Sequence, residues 1–104
     1  MRVLFDQGTP VPLRAWFPLD TVRTAAQESW HTLSNGDLLT AAETAGFDVL
    51  LTTDKNLRYQ QHLTGRTIAI VVLRAPQWPI EPRTCAQIAA AVCGATAGQY
   101  LEVG

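Results

Sequence analysis

Apolar residues follow two rhythms along this chain: short runs that stop at clusters of turn residues, and longer stretches repeating at helical spacing. Arg2 to Phe5 (RVLF) is the first run, and it halts at Asp6 to Pro10 (DQGTP), so it reads as a buried strand entering a turn. Val11 to Phe17, set among Pro10, Pro12 and Pro18, reads as a short helix or turn, Asp20 to Thr24 as a brief strand, and Ala25 to Trp30 as a helical turn. The clearest helix is Asn35 to Gly46. Leu38, Leu39, Ala42 and Ala45 recur at helical spacing, Asn35 is placed to cap the start, and Gly46 suits the position just past the end.

Phe47 to Thr53 follows as a strand running into Asp54, then Lys55 to Leu63 as a second helix closed by Gly65. Thr67 to Leu73 is the most apolar run and predicts a central strand buried on both faces. Arg74 to Arg83, with Pro76, Pro79 and Pro82, reads as an irregular connection, Thr84 to Cys93 as a helix, and Gln99 to Val103 as a final edge strand. Strands alternating with helices predict an α/β fold: a small, mainly parallel central sheet of four or five strands flanked by helices in three layers, joined by right-handed crossovers.

Composition narrows this further. A chain of 104 residues fits one domain, 1–104, and its 47% hydrophobic content supports a real core under a surface that is only sparsely charged. Eight Lys and Arg against nine Asp and Glu leave a formal net charge of -1, so any phosphate binding has to come from a local arrangement. The N-terminus (MRVLFDQG) has no apolar signal stretch and no run approaches a membrane span, which sets the expectation of a soluble cytoplasmic protein. Cys85 and Cys93 would lie about 12 Å apart along a helix axis, too far for a disulfide, and they read as reduced thiols.

The chemistry sits where strands end. Two runs, VLF and LLTT, stop at Asp6 and Asp54, and in an open parallel sheet sites form beyond the carboxyl ends of the strands. Two carboxylates brought together in a partly dry site favour a cation between them, and hard oxygen ligands suit Mg²⁺ or Mn²⁺. Each aspartate also has a purely structural use: Asp6 can satisfy turn amides, and Asp54 can cap the helix after it. Asp37 falls in the first turn of its helix, where the dipole favours a carboxylate. Glu28 reads by itself as a solvated side chain, and Glu43 and Asp48, flanking Gly46, as surface charges. His31 and His62 have no neighbour in sequence that suggests a catalytic pairing.

These residues carry a resemblance. Asn35 to Leu57 (NGDLLTAAETAGFDVLLTTDKNL) and the opening VLFDQGTP resemble a short PIN-like domain, related to the toxin ribonucleases of VapC-type toxin–antitoxin modules, and the similarity covers nearly the whole chain. It implies that Asp6 matches the first metal-binding acid of the family, Asp54 the acid after the later strand, and Glu28 the acid after the second strand. The chain departs from the family at Asn35, where many relatives carry an aspartate. The nearest carboxylate, Asp37, lies two residues on, or about 200° around a helix. Asn56 likewise stands where many relatives have a further aspartate; an amide oxygen can ligate a cation but adds no charge.

The resemblance therefore implies a Mg²⁺- or Mn²⁺-dependent nuclease that hydrolyses phosphodiester bonds in RNA. Asp6, Asp54, Glu28 and Asp37 are its expected catalytic and metal-binding residues, and Asn35 and Asn56 supporting or alternative ligands. Lys55, Arg58 and Arg66 are candidates for the phosphate backbone. Trp30, Tyr59 and Trp78 are placed either to stack on bases or to pack. A cognate antitoxin and a two-fold homodimer are the expected protein partners. The alternative keeps the fold and discards the chemistry, leaving a catalytically degenerate PIN-like interaction or regulatory module. A phosphoacceptor switch would want paired acids at the first strand end, where this chain has Asp6 and Gln7.

Overall fold

The computed structural model describes residues 1–57 and 63–104. Five strands, β1 (Arg2–Phe5), β2 (Thr21–Thr24), β3 (Val49–Thr52), β4 (Ala69–Leu73) and β5 (Tyr100–Val103), form one sheet in the order β2-β1-β3-β4-β5. Every pairing is parallel. Two helices, α1 (Asn35–Thr44) and α2 (Pro82–Gly94), and a 3₁₀ helix (Val11–Trp16) complete the fold.

Alternation along the strands divides the core into two. Val3, Phe5, Val49, Leu51, Val71 and Leu73 face α2 and the 3₁₀ helix, where Leu13, Phe17, Cys85, Ile88 and Val92 close over them. Leu4, Leu50, Ile70 and Val72 face the other way, onto Leu38, Leu39 and Ala42 of α1. The sheet is thus the middle of three layers, as the alternating strands and helices predict. All of β3 and β4 is buried, which is why both read as unbroken apolar runs.

The element boundaries differ from the sequence reading in ways that have local causes. Asn35 does not cap α1; Ser34 does, its Oγ accepting the Asp37 N–H at 3.4 Å, and Asn35 becomes the first helical residue. The far end is as expected. Gly46, at φ +81°, donates to the Glu43 carbonyl while Phe47 donates to that of Ala42, the paired bonds of a Schellman turn. Pro82 belongs to α2 rather than to the connection before it, because a proline in the first turn forfeits no helical hydrogen bond. β2 and β5 form the two edges. The predicted helix over 55–63 falls largely outside the described residues, as do Arg58, Tyr59 and His62.

Glu43 and Asp48, expected as plain surface charges, hold the amino edge of the sheet together. The Glu43 carboxylate accepts the Arg66 guanidinium at 2.6 Å and both the N–H and hydroxyl of Thr67, at 2.6 and 3.0 Å. Asp48 accepts the Arg2 N–H at 2.8 Å. Partial burial alone would raise the Glu43 carboxyl, but the Arg66 and Thr67 donors outweigh it and hold it below its ordinary value of 4.5. Since this group titrates lower in the folded chain than in the unfolded one, its stabilisation is complete above 4.5 and disappears as pH falls through the folded value. Replacing Glu43 by Gln should cost about 1–3 kcal/mol at pH 7. In urea melts across pH, that difference from wild type should shrink steadily below 4.5; a difference independent of pH would contradict the assignment.

Candidate metal centre at the carboxyl edge of the sheet

The strand order places β2 on one side of β1 and β3 on the other, so the chain reverses direction across the sheet between β1 and β3. Open parallel sheets form their crevice at this point, beyond the carboxyl ends of the strands. Asp6 directly follows β1, and Asp54 comes two residues after β3. The ladder extends past the strand, with the Asp6 N–H donating to the Leu51 carbonyl at 2.9 Å.

Parity decides which way these side chains point. Phe5 is in register with Leu51, so Asp6 comes level with Thr52. Continuing the alternation of Leu4 and Leu50 puts Asp6, Thr52 and Asp54 on the α1 face, where α1 begins. The contacts follow. Thr52 Oγ1 donates to Asp6 Oδ2 at 2.9 Å and accepts the Asp54 N–H at 3.1 Å, while Asn35 Nδ2 donates to Asp54 Oδ2 at 2.9 Å. The other two carboxylate oxygens accept backbone amides, Asp6 Oδ1 from Gln7 at 2.8 Å and Asp54 Oδ1 from Asn56 at 2.9 Å. The structural use foreseen for Asp6, satisfying a turn amide, is therefore present, and Asp54 likewise accepts an amide two residues on.

A turn clamps the β1 end. Thr9 donates its N–H to the Asp6 carbonyl and its hydroxyl to the Leu51 carbonyl at 3.0 Å. Gly8 sits at φ +86° within it, and a Cβ there would meet Thr53 Oγ1 at 2.9 Å, so the turn needs glycine for both conformation and space.

Among the described residues, the expected acids Glu28 and Asp37 do not join the pair. Glu28 forms an ion pair with Arg23 at 3.0 Å, and Asp37 is exposed in the first turn of α1. Among the described residues no three His, Cys, Asp or Glu side chains gather as a metal-binding group. Asn56 meets Asp54 through its backbone N–H. Arg66, expected at the phosphate backbone, is bound to Glu43 near the end of α1, roughly 12 Å along the helix from Asn35. Lys55 is exposed immediately after Asp54. Trp30 is half-buried edge-on to Phe47, while Trp78 is exposed. No helix among the described residues is long and apolar enough to cross a membrane.

Thr52 is the residue to which sequence reasoning assigned no role of its own. Its signal was present: a polar residue at the end of a fully apolar strand, on the same parity as Asp54. The pair offers hard oxygen donors, and each carboxylate oxygen keeps a second lone pair after its one hydrogen bond. That donor set suits a Mg²⁺-like cation, which takes one or two carboxylates and completes its shell with water and substrate oxygens. No family model, curated protein or solved structure matches the chain.

Replacing Thr52 by Val keeps the shape but leaves the part-buried Asp54 amide and an Asp6 carboxylate oxygen without their hydroxyl partner. Urea denaturation should show a loss of about 1–3 kcal/mol, with Thr52→Ser close to wild type.

Proposed function

We propose that this chain is a Mg²⁺- or Mn²⁺-dependent nuclease of PIN-like type that hydrolyses phosphodiester bonds in RNA. The observation that carries the reading is the convergence of Asp6 and Asp54 at the point where the sheet reverses direction, locked together through the buried Thr52 hydroxyl. Asp6 and Asp54 would hold the cation. When bound, it supplies Lewis-acid polarisation of a phosphoryl oxygen and a water of lowered pKa. Thr52 ties the Asp6 carboxylate to the Asp54 backbone N–H, and the Gly8 turn holds the chain after Asp6 in place. Lys55, exposed beside Asp54, is the described cation best placed to meet a phosphate. A cognate antitoxin, a homodimer and a cytoplasmic setting belong to the same proposal and rest on the resemblance and the composition.

A second reading, an interaction or regulatory module that has lost the chemistry, is favoured by the Asn35 amide on Asp54 and by the lack of a third carboxylate at the pair among the described residues. Cleavage of a broad RNA panel by chelator-stripped protein separates the two. The nuclease reading expects cleavage that requires Mn²⁺ and falls about 100-fold or more in Asp6→Asn. Metal binding without cleavage across the panel decides for the second reading.

A further inference from the structure

Asn35 approaches Asp54 with a donor, not with another carboxylate. Its Nδ2 lies 2.9 Å from Asp54 Oδ2, and it stands in the first turn of α1 because Ser34 has taken over the cap. We infer that Asn35 sets how strongly this site holds a divalent cation: its amide occupies a carboxylate lone pair and supplies the positive end of a dipole where a cation would otherwise be required. The inference rests on the proposed cation site, and its readout is binding and stability, not cleavage.

A carboxylate oxygen at the Asn35 Nδ2 position would face Asp54 Oδ2 at hydrogen-bond distance with like charge, an arrangement stable only with a cation between them or a proton on one of them. The amide removes that conflict. Asp6 and Asp54 each stay satisfied without metal, and the pair takes up a cation weakly, with water and substrate phosphate supplying the rest of the shell. Aspartate is nearly isosteric with asparagine and well tolerated in the first turn of a helix, so the exchange changes charge with little change of shape.

The test is a Mn²⁺ titration of chelator-stripped wild type, Asn35→Asp and the swapped pair Asn35→Asp/Asp54→Asn, followed by isothermal calorimetry and thermal melting. In EDTA at pH 7, Asn35→Asp should melt about 5 °C or more below wild type. It should regain that loss in Mn²⁺ and bind Mn²⁺ about tenfold or more tightly than wild type. The swap restores one carboxylate and one amide, and should return the melting temperature in EDTA to near wild type, while losing the tightened Mn²⁺ binding because the Asp54 carboxylate is gone. Wild-type binding with no tightening in Asn35→Asp overturns the role of Asn35 and leaves the cation site standing. No Mn²⁺ binding by either protein overturns the cation site and this inference together. If Asn35→Asp does not fold in either condition, Asn35→Ala decides. Loss of the competing donor should tighten Mn²⁺ binding several-fold, and unchanged or weaker binding overturns the inference.

Discussion

One hydroxyl ties the site to the fold. Thr52 is fully buried at the end of β3, and its Oγ1 both donates to the Asp6 carboxylate and accepts the Asp54 N–H. In that position it fixes two chain segments that would otherwise leave the sheet independently after β1 and β3. A buried hydroxyl is costly unless it is paired, and here both of its bonds serve the same end. The register of β1 against β3 sets this up, because it brings Asp6 level with Thr52 and onto the face where α1 starts.

The two edges of the sheet use their acids differently. At the amino edge, Glu43, Asp48 and Asp20 are bound to Arg66 and Thr67, to the Arg2 N–H, and to the N-terminal ammonium. At the carboxyl edge, the donors to the Asp6 and Asp54 carboxylates among the described residues are neutral: amides, a hydroxyl and the Asn35 side chain. Those contacts orient the carboxylates.

Much of the fold was legible because its signals are local. Continuous apolar runs marked β1, β3 and β4, helical spacing marked α1, and the strand-end aspartates followed from parallel architecture. Contacts between distant segments were not legible. Arg66 follows Asp54 by only twelve positions in sequence, yet it lies at the opposite edge because Glu43, at the end of α1, claims it. Glu28 is drawn to Arg23 by a turn whose geometry no residue spacing announces. The shift of the α1 cap from Asn35 to Ser34 is a one-residue change with a large consequence, since it sends the Asn35 amide to Asp54.

Asp6 and Asp54 together are proposed to form a cation site. Diffraction from wild-type crystals soaked in Mn²⁺, recorded at the manganese absorption edge, tests it most directly. An anomalous peak in contact with both carboxylates, completed by water, is the expected result. A map with no peak there, or with Mn²⁺ bound elsewhere while Asp6 and Asp54 keep only their hydrogen bonds to Thr52 and Asn35, would contradict it.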